Sequence, residues 1–263
     1  MTGGDRLFPM TKEWAVVTGA SAGLGIAFAE HLAKQGSDII LAARRRDRLE
    51  EVADKLAHKY GTRTEVRAVD LASETGRANF VEEIHATPVH TLVNNAGFGS
   101  VGRFAELAPS RLAQETSLDV GALTELSRAV VEGMIGRRRG AIINVASTAA
   151  FQPIPDMAVY AAAKSYVLQF TIALWQELYD TGVRAVAICP GPTDTEFFSN
   201  AGDDGVLTQR RRPDQVVETA FKALKEHRPF AIDGVRNRVL ALANRFAPRS
   251  VQARVAKMVI HNT

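Results

Sequence analysis

The chain of 263 residues is predicted to fold as one doubly wound α/β domain, a parallel sheet of about seven strands with helices on both faces. Three observations predict it. Short apolar runs alternate with segments of helical periodicity along most of the chain, the pattern of strand–helix–strand units. The first such run ends in a Gly-rich turn that opens a helix, the context a phosphate-binding loop requires. No break in composition and no internal repeat divides the chain, and its length supplies a single large core.

Hydrophobic residues make up 46% of the chain and charged ones 23%, which is ordinary globular composition. Cys189 is the only cysteine, so an intramolecular disulfide and a Cys-rich metal site are excluded. The first thirty residues carry no signal-peptide pattern, and no uncharged apolar run reaches membrane-spanning length. A cytoplasmic enzyme is the expectation.

Residues 1 to 12 are polar and Gly-rich, a frayed lead-in. Trp14-Ala15-Val16-Val17 reads as a buried strand, followed by Thr18-Gly19-Ala20-Ser21-Ala22-Gly23-Leu24-Gly25 and a helix from Ile26 to Lys34 closed by Gly36. Glycines let backbone amides approach a pyrophosphate, and the helix N-terminus adds partial positive charge. Ile39 to Ala43 is the second strand, and Arg44-Arg45-Arg46 follow where dinucleotide folds tend to carry a ribose-binding acid. Arginines there suit a 2′-phosphate, which favours NADP(H) over NAD(H); a solvated helix start is the plainer explanation. Glu65 to Val69 is a third strand ending in Asp70-Leu71, where the carboxylate meets an adenine amino group or caps a helix.

A helix near 73–85 precedes Thr91-Leu92-Val93-Asn94-Asn95-Ala96-Gly97, a strand with an amide-rich turn. One long helix is expected over 110–135, then strand five, Ala141 to Ala146, with Ser147 at its end. Met157 to Tyr179 is a helix, Val183 to Ile188 strand six, and Pro190-Gly191-Pro192-Thr193-Asp194-Thr195 its exit. Residues 196–213 read as a substrate loop with Phe197 and Phe198 at its start. A helix from Pro213 to Glu226 and a strand from Pro229 to Ile232 complete the core.

Tyr160 and Lys164 stand four apart, so in a helix they share a face. A free tyrosine titrates near 10. A cation about 4 Å away at an effective dielectric near 20 is worth about 4 kcal/mol, which before desolvation would lower the phenol's pKa by roughly three. Ser147, at a strand end, is placed to orient a carbonyl or alcohol oxygen. A Tyr-x-x-x-Lys spacing by itself is an ordinary helix pair.

From Gly234 onward the chain holds Arg236, Arg238, Arg245, Arg249, Arg254 and Lys257 and no acid. Val235, Val239, Leu242, Ala243 and Phe246 fall at helical spacing, as do Val251, Val255 and Met258. Residues 234–263 therefore read as basic amphipathic helices, packed on their own domain or a sister subunit, with a membrane surface or acyl carrier as the other candidate.

Thr18-Gly19-x-x-x-Gly23-x-Gly25, Asp70, Asn94-Asn95-Ala96-Gly97, Ser147, Tyr160-x-x-x-Lys164 and Pro190-Gly191 stand in one order and spacing. Jointly they resemble the short-chain dehydrogenase/reductase family, over about residues 12–200. The resemblance implies a Rossmann fold and an oxidoreductase interconverting a ketone and a secondary alcohol with NADP(H). It makes Tyr160 the general acid/base, Ser147 the group that hydrogen-bonds the substrate oxygen, and Lys164 the holder of the nicotinamide ribose. Gly19, Ser21, Gly23, Leu24 and Gly25 would cradle the pyrophosphate, Asp70 and Leu71 meet adenine, and Asn95, Ala96 and Gly97 lie by the adenine ribose. Pro190, Gly191, Thr193 and Thr195 would border the carboxamide and nearby phosphate, and Arg44 would meet the 2′-phosphate, with Arg45 a weaker candidate. No metal is needed.

One position departs. The family commonly has asparagine in the long fourth helix, placing a water that relays protons through the lysine; here the segment reads Leu118-Asp119-Val120-Gly121. Aspartate loses two amide donors, and the expectation is that Asp119 keeps the relay with altered pH dependence. The overall style resembles the ketoacyl-reductase and hydroxysteroid-dehydrogenase branch, and Phe151, Ile154, Phe197 and Phe198 would line an apolar pocket for an acyl or steroid-like substrate. The resemblance also implies a homodimer or homotetramer, for which Ala113, Val120, Leu123, Ala161 and Leu168 offer a surface, although core packing explains these residues equally well. A non-catalytic NADP(H) sensor or scaffold and a membrane-surface protein are the alternatives. Nucleic acid is not expected, because the basic residues lack interleaved aromatic ones.

Overall fold

The apolar runs become strands because their residues, nearly all buried, need cover on both faces of a sheet. A computed structural model of the protein describes residues 13–194, 210–244 and 247–261. Its strands are β1 (Trp14–Thr18), β2 (Asp38–Ala43), β3 (Thr64–Ala68), β4 (Val89–Asn94), β5 (Gly140–Val145), β6 (Val183–Cys189) and β7 (Phe230–Ile232). They form one parallel sheet in the order β3-β2-β1-β4-β5-β6-β7, the predicted doubly wound arrangement. The order reverses between β1 and β4, which opens a crevice at their carboxyl ends, where ligands bind in such sheets.

The helices are α1 (Gly23–Lys34), α2 (Arg46–Tyr60), α3 (Glu74–His85), α4 (Pro109–Thr116), α5 (Leu123–Gly136), α6 (Ala158–Glu177), α7 (Pro213–Lys225), α8 (Val235–Ala243) and α9 (Arg249–His261). Those covering the sheet bury apolar stripes. Phe28 and Leu32 of α1 join Leu49 and Leu56 of α2, and Val216 and Val217 of α7, on one face of the sheet. Leu126, Val130 and Met134 of α5 join Phe80 and Ile84 of α3 on the other. Each large side chain so buried contributes about 1.5–3 kcal/mol. Ser73 caps α3 by accepting from the Gly76 N–H, and α2 ends on Gly61 at a φ of 65°. The helix that starts at Arg46 buries a Leu49-Val52-Ala53-Leu56 stripe of helical period.

The long helix expected over 110–135 forms as one continuous helical run, Pro109 to Gly136, with a change of pitch inside it. A π-helical segment, Ser117–Ala122, separates α4 from α5. Side chains anchored on both sides account for the widened turn. Ser117 donates to the Ala72 carbonyl (2.9 Å) and accepts from Arg77 (2.8 Å), whereas Asp119, two residues on, is drawn inward to the Phe98 N–H (3.1 Å). Such π segments cluster at functional sites.

Helices α8 and α9 bury Ala241 and Ala256 but leave Val235, Val239, Leu240, Leu242, Val251, Val255 and Met258 exposed. Helix α8 packs on β7, so these helices cover their own domain in part and leave much of their apolar faces exposed. Arg245, Phe246 and the lead-in 1–12 lie outside the described residues.

Candidate active site

The carboxyl ends of β1, β4 and β5 assemble the crevice. After β1 the chain turns through Gly19, at a φ of 65°, and Gly23, at 50°, conformations that favour glycine. A Cβ on Gly25 would stand 2.1 Å from the Gly19 carbonyl oxygen, so the start of α1 lies directly on the turn. Thr18 and Asn95 staple this turn to β4. The Thr18 hydroxyl accepts from the Asn95 and Ala96 N–H groups (both 3.0 Å), and the Asn95 amide donates to the Thr18 carbonyl (2.9 Å). Asn95 thus organises the turn through its side chain, a role distinct from the ribose contact the resemblance implies.

The N-terminus of α1 has no side-chain cap and no acid in its first turn. Its positive end is left for an anion. Arg45 folds over the turn, its guanidinium donating to the Ser21 carbonyl (3.2 Å) and hydroxyl (3.3 Å). Arg44 is exposed at the end of β2. This uncapped helix with two arginines beside it fits a phosphorylated dinucleotide. Asp70 is exposed and its carboxylate accepts from the Ala72 N–H (3.0 Å), the turn-capping alternative, while Leu71 is buried.

A buried polar ladder fixes the catalytic side. Asn94 on β4 donates to Asn144 on β5 (2.9 Å) and to Ser127 on α5 (3.0 Å), and Asn144 donates to Thr171 on α6 (2.9 Å). All four residues are buried, and the ladder ties α5 and α6 to the sheet at one height, with Asn94 Oδ1 left without a hydrogen-bond partner. Ser147, following β5, opens a short 3-10 turn, Thr148–Phe151, and accepts from the Ala149 N–H (3.1 Å).

Tyr160 and Lys164 lie one turn apart on α6 and are 8% and 6% exposed, so both act in a low-dielectric site. The Lys164 ammonium stands 5.6 Å from the Tyr160 ring centroid and donates to the Val145 carbonyl (3.2 Å). The phenol reaches the Ser147 hydroxyl. Lys164 Nζ lies 3.0 Å from Asp119 Oδ2, yet that oxygen receives no aligned hydrogen bond. The contact is a charge contact first. Only glycine at position 97 admits the carboxylate, since a Cβ there would stand 2.8 Å from Asp119 Oδ1.

These surroundings reverse one expectation. Burial pushes the Tyr160 phenol above its ordinary value; Lys164 and Ser147 pull it down, but Asp119 and Glu115 push it up. The expectation from the lysine alone leaves out burial, and burial is the largest cause of the upward shift. Burial also opposes the charge on Lys164, but Asp119 and Tyr160 override it and raise the lysine, which stays an ammonium. Burial pushes Asp119 upward against the pull of Lys164 and the Phe98 N–H.

Downstream, Pro190 accepts from the Thr148 N–H (2.9 Å), and Gly191 packs so closely on Asn237 that a Cβ would meet its amide at 2.3 Å. Thr193 is buried and donates to the Gly191 carbonyl (2.9 Å). Thr195, Phe197, Phe198 and most of the expected substrate loop lie outside the described residues. Its flanks are joined by a parallel bridge between Thr193 and Arg211. Arg211 is held by two bonds to the fully buried Asp233 (2.8 and 3.0 Å). Sequence reasoning missed this clamp and Glu115, because neither pair is close in sequence to a recognisable pattern. Phe151 packs against Phe230 at 6.1 Å between centroids, partly as core. Leu123, Ala161 and Leu168 are buried within the chain, which removes them from the expected subunit surface; Ala113 is exposed and Val120 half-buried.

The short-chain dehydrogenase family model matches residues 13–205. The 17-beta-hydroxysteroid dehydrogenase type 3 of Danio rerio is 30% identical over 226 residues, covering 82% of this chain and 69% of that one. The very-long-chain 3-oxoacyl-CoA reductase of Bos taurus is 32% identical over 186 residues, 69% of this chain and 60% of that protein. The inactive hydroxysteroid dehydrogenase-like protein 1 of Homo sapiens is 32% identical over 182 residues, 67% of this chain and 54% of that protein. The chain thus spans a little over half to about two thirds of these relatives. Among solved structures, a short-chain dehydrogenase from Sphingobium yanoikuyae in complex with NADPH superposes with a TM-score of 0.82 at 30% identity, covering 89% of this chain and 93% of that one. With this match, the parallel sheet and the crevice built on its switch point, the chain belongs to the short-chain dehydrogenase/reductase family of NAD(P)-dependent oxidoreductases.

Proposed function

We propose that the protein interconverts a ketone and a secondary alcohol with NADP(H), on an apolar acyl-chain or steroid-like substrate. The observation that carries the proposal is the convergence of a half-buried Ser147 with Tyr160 and a charged Lys164, both buried, at the carboxyl end of β5, on the same side of the sheet as an uncapped helix N-terminus. Bound NADP(H) supplies or accepts the hydride at the carbon. Ser147 donates a hydrogen bond to the substrate oxygen and fixes its position. Tyr160 gives its phenolic proton to that oxygen as the carbonyl becomes an alcohol, and takes it back in the oxidative direction. Lys164 stabilises the phenolate left behind. The Gly19–Gly25 turn holds the pyrophosphate, and Arg44 and Arg45 favour a 2′-phosphate.

The relatives named for steroid and 3-oxoacyl-CoA chemistry support the substrate class, and the NADPH-bound neighbour supports the cofactor. The inactive relative keeps a non-catalytic sensor as the competing reading, which the intact Ser147, Tyr160 and Lys164 disfavour. Fluorescence titration with NADPH and NADH, followed by β-ketoacyl thioesters, steroids and small diketones, tests the proposal. Preferential NADPH binding with turnover on one ketone class supports it; NADPH binding with no turnover moves it to the sensor, and no binding of either cofactor ends it.

A second reading concerns the tail. Seven exposed large hydrophobic residues interleaved with cations in α8 and α9 favour burial against a second copy of the chain or an anionic bilayer. Sedimentation with and without anionic vesicles separates the two.

A further inference from the structure

The crevice holds one more acid than the proposed reaction uses. Glu115 lies on α4, one helical turn before Asp119. It is fully buried, and neither carboxyl oxygen has an aligned hydrogen-bond partner. The groups that face it are the Ser100 hydroxyl, Arg111, Asp119 and Lys164. Ser100 accepts from Arg111 Nε (3.3 Å), and the Arg111 guanidinium sits over the Phe98 ring at 4.1 Å, so this cation is already engaged. Helix α4 packs on α6, which brings Glu115 within electrostatic reach of Tyr160.

An ionised carboxylate without partners is strongly disfavoured in such a place, and more so with a second carboxylate beside it. Burial pushes Glu115 up, Asp119 pushes it further, and Ser100, Arg111 and Lys164 oppose. Two neighbouring acids in one buried volume titrate as a pair.

We propose that Glu115 and Asp119 act as one buried carboxyl pair carrying a single proton at neutral pH, which keeps Lys164 charged and holds Tyr160 in its proton-donating form. Glu115 is a positioning residue, acting through Asp119 and Lys164. The pair makes the site a proton donor to a carbonyl across the neutral range, and it confines oxidation, which needs the phenolate, to alkaline pH. This rests on the reading of Tyr160 as the acid/base. In reduction Tyr160 loses its proton to the substrate oxygen and regains one from solvent, while the pair keeps its own.

The test is carbon-labelled tyrosine NMR on the full chain, alone and with NADPH, across pH. There are four tyrosines, and the Tyr160→Phe spectrum assigns the signal. Asp119→Asn is expected to lower the Tyr160 midpoint by about one pH unit or more, roughly tenfold more phenolate at a given pH. Glu115→Gln, which keeps the shape and removes the carboxyl of the pair that holds the proton, leaves Asp119 charged beside Lys164 and should leave the midpoint in place. Thermal unfolding gives a second readout. Glu115 has a folded pKa above its ordinary 4.5, so its penalty is absent below that pH and grows as pH rises toward the folded value. The Tm of Glu115→Gln relative to the unaltered chain should therefore climb above about pH 4.5. An unchanged Tyr160 midpoint in Asp119→Asn would overturn the proposal, as would a Glu115→Gln Tm difference that does not vary with pH. If Asp119→Asn does not fold, the pH dependence of the Glu115→Gln Tm decides alone. The titration needs no turnover, so failure of every ketone counts against the reductase reading while the carboxyl pair is judged separately.

Discussion

The two ends of the crevice use charge in opposite ways. At the cofactor end, Arg44 and Arg45 stand in solvent at the tip of β2. At the catalytic end, Lys164, Asp119 and Glu115 lie almost wholly out of water. A unit charge pair at 4 Å is worth about 1 kcal/mol in water and about 4 kcal/mol at an effective dielectric of 20. The exposed arginines can therefore select a phosphate but only modestly and with salt sensitivity, whereas each buried charge sets the protonation of its neighbours. Where a charge sits, more than which residue bears it, decides its task.

The largest expected effect is at the buried end. Tyr160→Phe removes the transferable proton and should lower kcat/KM by about 10²–10⁴, with NADPH affinity held near its original value. Steady-state kinetics beside a binding titration checks this, and an equal loss in both would erase the contrast between the two ends. The pH profile sharpens it. Because burial raises Tyr160, reduction should be flat through neutral pH and fall only on the alkaline side, while oxidation rises with pH over the same range. A reductive rate that falls between pH 6 and 8, on the order of the histidine range, would contradict the assignment.

Next in size is the Arg211–Asp233 clamp. Arg211→Ala leaves the buried Asp233 carboxylate with the Thr219 hydroxyl (2.7 Å) but no cation, and with the guanidinium partly exposed the cost should be about 2 kcal/mol, or roughly 4–8 °C in Tm. Differential scanning calorimetry measures it, and an unchanged Tm would mean that the clamp is idle.

The exposed end comes after. Arg44→Ala with Arg45→Ala should raise the NADPH KM about tenfold at low salt, leave NADH nearly unchanged, and lose most of that difference at about 1 M salt. A loss for both cofactors alike would place the arginines elsewhere in the chemistry. Smallest is the tail, where Val239→Ser should change stability by no more than about 0.5 kcal/mol while weakening self-association or vesicle binding in sedimentation. A large loss of stability there would show that the face is packed after all.

The strands, the Gly-rich turn and the Ser147–Tyr160–Lys164 set were legible because each rests on local pattern: apolar runs, turn glycines and an i,i+4 spacing. The change of pitch at Ser117–Ala122 was not, since it arises from contacts with Ala72, Arg77 and Phe98 that are 20 or more residues away in sequence. Glu115 carries no local signal in the sequence, and it is buried in the fold, where α4 packs on α6. The upward push on Tyr160 is out of reach of a pairwise estimate for the same reason: it comes first from burial, and after that from Asp119 and Glu115. The tail was legible in composition, with its cations and apolar spacing, but which face would be covered is a property of whatever it meets.

The measurement that tests the account most directly is a single-turnover reaction of the NADPH-loaded protein with a β-ketoacyl thioester at neutral pH, followed by NADPH absorbance in the unaltered chain and in Tyr160→Phe. The account predicts one equivalent of NADPH consumed by the first and a rate at least about 10²-fold lower in the second. Equal rates in the two proteins would contradict it.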